Sequence, residues 1–270
     1  MQAKARRAAG TLLCTVAFAA TTTAGARAVE RIPFTNSGGA VVVEASIDRR
    51  PAVPMTVDLS AGVDRLGPSL RSLAYDVDRT FVTMSAAGER IDFGIGRVVS
   101  FTIGDFALGD RTVGIAPNAG PADGVVSAAA FRTVATTLDF HAHELVVEDA
   151  ESFADRRRTG MSVPLILQDD RDLALRLFAW FDFGGRPGLC ALDTATDGIV
   201  LDKRFAAGAG IAGPALPSVT LRDEPRVAVK GAAVTYADLI YDCEIGNEFW
   251  ADRALTIDVP NRALWINAPT

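Results

Sequence analysis

Two aspartates stand where an acid–base pair would have to stand. Leu189-Cys190-Ala191-Leu192 is an apolar run that stops at Asp193, and Met55-Thr56-Val57 stops in the same way at Asp58; small residues follow both. A carboxylate at the end of a buried strand costs several kcal/mol to desolvate unless it is hydrogen-bonded, paired or put to use. Two carboxylates held about 3 Å apart cannot both ionise easily, so one keeps its proton as a general acid while the other activates water. Such a pair titrates as a unit, and sequence assigns neither aspartate its own role.

The elements that must position this pair occur twice. Pro51 precedes Asp58 by seven residues and Pro187 precedes Asp193 by six. Asp123-Gly124-Val125-Val126-Ser127 is followed, twelve positions after Ser127, by Asp139. Cys243-Glu244-Ile245-Gly246 is followed, twelve positions after Gly246, by Asp258. An aromatic, Phe131 or Trp250, lies four residues past Ser127 and Gly246, and Ile32-Pro33-Phe34 is echoed by Val163-Pro164-Leu165.

Val57-Asp58-Leu59-Ser60-Ala61-Gly62 and Leu192-Asp193-Thr194-Ala195-Thr196-Asp197-Gly198 resemble the Asp-Thr-Gly-Ala signature of the retropepsin-like and pepsin-like aspartic proteases. In that family each lobe supplies one aspartate, and a hydrophobic-hydrophobic-Gly strand lies beside each aspartate loop. The resemblance implies an all-β fold of two pseudo-symmetric, closed, barrel-like lobes with short helices. It makes Asp58 and Asp193 catalytic, with Leu59, Ser60, Ala61, Thr194, Ala195 and Thr196 as supporting loop. It also places the strands carrying Cys190 and Cys243 side by side. The cysteines have equal offsets from Asp193 and Gly246, so a disulfide is expected, with two small buried hydrophobes as the other reading.

The lobes are expected over 29–150 and 161–270, with the polar segment 151–160 as a linker and Arg156-Arg157-Arg158 in an exposed loop. Pro68 suits the first position of a short helix within Leu66 to Ala74. Phe81 to Met84, Arg97 to Ile103 and Arg111 to Ile115 are β-rich and separated by glycine turns. Between the first two, Gly88 to Gly96 has the length of a flap, with Gly88, Gly94, Ile95 and Gly96 in the loop and Gly94 and Gly96 supplying unusual dihedrals. The second lobe has only one short strand pair between Gly208 and Lys230, so a single flap is expected over the cleft.

Residues 1–28 have the form of a secretory signal. Lys4, Arg6 and Arg7 make a basic start, Thr11 to Thr23 a weakly apolar stretch too short to span a membrane, and Ala26-Arg27-Ala28 a cleavage site. Cys14 follows Leu13 rather than a small residue, which argues against a lipid anchor. Removing this segment, with four basic residues and no acidic one, takes the net charge from −6 to −10. Nucleic acid and anionic membranes are thereby disfavoured as partners. An exported, periplasmic or secreted, monomeric protein without a cofactor is expected, acting on a peptide or protein substrate.

The loops depart from the signature. Leu59 has no hydroxyl to reach across to the other loop, Ser60 and Ala195 add β-carbons where the family has glycine, and Ser127 replaces the glycine of the neighbouring strand. A site loosened by about 1 Å can lose 10² in rate. Three readings therefore compete: an exported aspartic endopeptidase, a weak or inactive relative that binds extended peptide in its cleft, and an unrelated all-β domain. Other chemistry fares worse. His141 and His143 fall where a hairpin turn is needed and lack further metal ligands. Ser60 and Ser127 have no suitably placed histidine and no G-x-S-x-G. Asp139 and Asp258 precede hairpin turns, and Asp64, Asp123 and Asp197 are expected to stabilise turns.

Overall fold

The computed structural model describes residues 28–116, 122–170 and 173–268; the expected signal segment lies almost entirely outside them. The described residues form three sheets. A six-stranded antiparallel sheet has the order Glu30–Pro33, Glu144–Val147, Thr136–Asp139, Ala254–Asp258, Ala263–Asn267, Met161–Pro164. Its first three strands come from the first half of the chain and its last three from the second. The halves meet where Thr137 faces Thr256, with their hydroxyl oxygens 2.6 Å apart. The separation of these two threonines, 119 residues, is also that of Ser127 from Gly246 and of Asp139 from Asp258. The sequence repeat is thus read out as a local two-fold relationship inside one sheet, and the two expected lobes share this sheet rather than standing apart.

The other two sheets each belong mainly to one half. In the first, Val53–Asp58 runs parallel to Gly124–Ser127, with Asp58 opposite Ser127. In the second, Pro187–Leu192 runs parallel to Cys243–Ile245, and the Asp193 amide donates to the Ile245 carbonyl at 3.0 Å. Strands paired this way are covered on both faces, so they read as continuous apolar runs without alternation. The first sheet closes on itself, because Ala40–Ile47 pairs with both Val53–Asp58 and Arg90–Ile103. One continuous hydrophobic core runs from Ile32 to Ile266; the repeated aromatics Phe131 and Trp250 are both buried in it.

Cys190 and Cys243 lie opposite one another in the parallel pair and form a disulfide, with Cα atoms 4.4 Å apart. The short helix expected around Pro68 is a 3-10 helix, Pro68–Leu73.

The expected linker is an α-helix, Ala150–Thr159, started by a capping box in which Asp149 accepts from the Ser152 amide and Ser152 from the Asp149 amide. Nor do its arginines form a uniformly exposed loop. Arg156 turns inward, donating to Glu148 at 3.1 Å, and Glu148 also accepts from Thr137 at 2.5 Å. The helix is therefore docked on the central sheet through a buried polar network instead of an apolar stripe. No helix among the described residues is long and apolar enough to cross a membrane.

Candidate functional site

Asp58 ends the strand Val53–Asp58, and Asp193 follows Pro187–Leu192 directly; their exposures are only 8% and 5%. Each carboxylate is fixed by its own loop. Asp58 Oδ1 accepts from the Ser60 amide and the Ser60 hydroxyl, both at 2.8 Å. Asp193 Oδ1 accepts from the Ala195 amide at 2.9 Å, and its Oδ2 from the Thr196 hydroxyl at 3.2 Å. Ser60 thus uses the side chain it has in place of glycine to hold the aspartate.

The loops are joined from one side. Thr194 Oγ1 donates to the Val57 carbonyl at 2.6 Å and accepts from the Leu59 amide at 3.2 Å. Leu59, 1% exposed, is packed in the core and has no hydroxyl to return the bond. The Asp193 loop is further clamped to the start of the first half. The Thr194 carbonyl accepts from the Val41 amide at 2.9 Å and from Asn247 Nδ2 at 3.1 Å, and the same Nδ2 reaches the Gly39 carbonyl at 2.7 Å. The Ala61 amide closes the other loop onto the Asp58 carbonyl at 3.3 Å.

Ser127 does not loosen its strand. Its amide and hydroxyl donate to Asp64 Oδ1 at 2.8 and 2.9 Å, and Arg111 pairs with the other oxygen of that carboxylate. Asp64, 1% exposed, is therefore a buried support of the Asp58 side and not the turn-stabilising residue the sequence suggests. Asp139 and Asp258 do stabilise turns, accepting from the Ala142 and Asn261 amides. His141 and His143 sit in the first of these turns, and among the described residues no group of three or more potential metal ligands forms.

Charged residues that the motif comparison does not single out surround the pair. Arg65 Nη2 stands 3.9 Å from Asp58 Oδ2. Glu244, on the strand beside Asp193, accepts from the Tyr241 hydroxyl at 2.6 Å. Burial, then the charge of Asp58, then that of Glu244, push the Asp193 carboxyl up to about 7, against the pull of the Ala195 and Thr196 hydrogen bonds. Burial raises Glu244 as well, with the Asp58 charge adding to it and the Tyr241 bond opposing it. Glu244 and Arg176 each interrupt an apolar strand with a single charge; that is the signal in the sequence that points to them.

The segment expected to be a flap belongs to a hairpin of Tyr75–Met84 and Arg90–Ile103, with its turn at 85–89. Gly88 is in this turn with φ +79°, whereas Gly94, Ile95 and Gly96 lie inside the second strand. Gly94 and Gly96 do not have left-handed backbone; a β-carbon at Gly96 would come within 2.9 Å of Ala74 and Val77. They are small because the hairpin strands pack closely, not because a loop needs them. The flap tip touches the second half of the chain: the Ile240 amide donates to the Ala86 carbonyl at 2.9 Å and Arg176 Nη2 to the Met84 carbonyl at 2.7 Å. Beneath the flap, Val63, Phe93 and Ile95 form a small core against Phe81, Ile91, Leu173 and Ala174.

This fold recurs in solved structures. The aspartic proteinase of Irpex lacteus matches with a TM-score of 0.59 at 11% identity, over 90% of this chain and 98% of that one. The basic 7S globulin of soybean matches with a TM-score of 0.58, also at 11% identity, over 88% of this chain and 94% of that one. The fold is pepsin-like. No protein-family model and no curated protein matches the sequence. Since one of these two neighbours is a proteinase and the other a globulin, likeness of fold does not choose between catalysis and another role.

Proposed function

We propose that the chain is an aspartic-type endopeptidase that hydrolyses peptide bonds with water activated between Asp58 and Asp193. The observation that carries this reading is the pairing itself: two buried aspartates on loops tied together through Thr194, with one carboxyl raised to about 7 by burial and then by the charges of Asp58 and Glu244. Asp193 carries the shared proton, and Asp58 takes a proton from water as the oxygen attacks the peptide carbonyl carbon. The carbonyl oxygen receives the Asp193 proton, giving a neutral gem-diol. Asp58 then protonates the amide nitrogen as the C–N bond breaks, and a diol hydroxyl returns a proton to Asp193. The described groups suffice for this cycle without a cofactor. The disulfide supports placing the protein in an oxidising, exported compartment.

A second reading, a domain that holds extended peptide without cutting it, is favoured by the missing hydroxyl at Leu59 and by the flap tip fastened to Ile240 and Arg176. Cleavage of a peptide library, followed by mass spectrometry, by wild type and by Asp58→Asn separates the two. The endopeptidase reading expects internal cleavage that disappears in the variant, and cleavage that persists in it would refute the two-aspartate mechanism.

A further inference from the structure

We propose that Arg65 and Arg176 form a carboxylate-recognition subsite beneath the flap, which selects peptides with an acidic group next to the bond held at Asp58 and Asp193. This rests on the cleft being a peptide site, as argued above, but not on the peptide being cut.

Several arginines elsewhere on the chain are hydrogen-bonded to carboxylates, as Arg65 and Arg176 are not. Arg90 is hydrogen-bonded to Asp92, Arg111 to Asp64 and Arg226 to Glu224. Arg65 stands off Asp58 at 3.9 Å, beyond hydrogen-bond reach, and its buried Nε has no partner among the described residues. A buried guanidinium nitrogen without an acceptor is costly unless a ligand supplies one. Arg176 spends a donor on the Met84 carbonyl of the flap, a neutral acceptor. It reaches this place because the Leu175 amide donates to the Gly62 carbonyl at 2.7 Å, tying the start of its strand to the loop after Asp58.

Burial lowers Arg65, and the charge of Arg176 lowers it further against the opposing pull of Asp58; Arg176 also counteracts the rise at Glu244. The titratable groups facing the pair are Asp58, Asp193, Glu244 and Tyr241, and burial favours the neutral form of the last three. Two guanidinium groups thus stand beside carboxyls that burial pushes toward the neutral form, in a protein whose formal net charge is −6. A planar guanidinium matches a carboxylate in a two-bond fork, so an acidic substrate group supplies both the missing charge and the missing acceptor.

The carboxylate has two sources, an Asp or Glu side chain and a free peptide C-terminus. Equilibrium binding of fluorescent octapeptides at pH 5.5 distinguishes them: one set replaces Glu with Gln at each position in turn, and the other compares free with amidated C-termini. Wild type should prefer the Glu or the free-acid peptide by about tenfold, and the arm that shows the preference names the source. In Arg65→Gln and Arg176→Gln the preference should fall to within about twofold of unity, while Arg65→Lys and Arg176→Lys should keep part of it. The ratio of two affinities on one preparation does not depend on the fraction folded. Equal binding by wild type, a preference that survives both glutamine variants, or no peptide binding would overturn the proposal. A preference lost as expected, with no peptide cut by wild type, would uphold the subsite and remove only the endopeptidase reading.

Discussion

Thr194 and Val57 are joined across the pseudo-two-fold by a 2.6 Å hydrogen bond, donated by the Thr194 hydroxyl to the carbonyl just before Asp58. The same oxygen receives the Leu59 amide at 3.2 Å, so a single hydroxyl satisfies two backbone groups and sets the separation of the aspartate loops. Leu59 makes no equivalent bond in return, so the junction is one-sided.

Thr194→Val keeps the shape and removes the hydroxyl. It leaves a buried amide and carbonyl unpaired, which should cost about 1–3 kcal/mol and, by letting the loops drift, on the order of 10² in peptidase rate. Leu59→Thr, which restores a hydroxyl to the opposite loop, should raise the rate. Ser60→Gly should lower it, because the Ser60 hydroxyl holds Asp58. Chemical denaturation and initial rates on one peptide check all three.

Asp193 makes stability depend on pH. Its carboxyl lies at about 7 in the folded chain, against about 3.9 when unfolded, so the folded state binds the extra proton between those values. The contribution of this group is fully present below about pH 4 and is lost as pH rises through 7. In Asp193→Asn, which stays neutral, thermal stability should fall less than that of wild type between pH 5 and pH 8. Equal slopes would show that the carboxyl is not raised.

The disulfide closes a 53-residue separation and fixes the strand that leads into Asp193. Cys190→Ala with Cys243→Ala should lower unfolding stability by about 4 kcal/mol on the chain-entropy estimate, read as a shift in urea midpoint. Activity should fall less than stability, since neither sulfur touches the carboxylates' hydrogen-bond partners. A double variant as stable as wild type would contradict this.

What was legible in the sequence was what repeats. Asp58 and Asp193 end apolar strands, and the twelve-residue intervals became matching strand–helix–hairpin units because both halves contribute three strands to one sheet. The equal offsets of Cys190 and Cys243 became a direct register pair. Glycines misled where close packing rather than turning required them, so the flap turn is at 85–89 and Gly94 and Gly96 are in a strand. The helix Ala150–Thr159 read as a linker because it buries no apolar stripe; its sequence signal was the cap formed by Asp149 and Ser152. That Arg65, Arg176 and Glu244 converge around the pair follows from no spacing in the sequence, because the three come from strands that only the fold brings together.

The central claim is that Asp58 and Asp193 share one proton and use it to hydrolyse peptide bonds. The pH dependence of kcat/KM on a cleaved peptide, measured for wild type beside Asp193→Asn and with a statine-type inhibitor as control, tests it most directly. The account predicts activity on the acid side that declines as pH rises through about 7, is blocked by the inhibitor and is absent from the variant. Activity that persists in Asp193→Asn, or that rises through neutral pH, would contradict it.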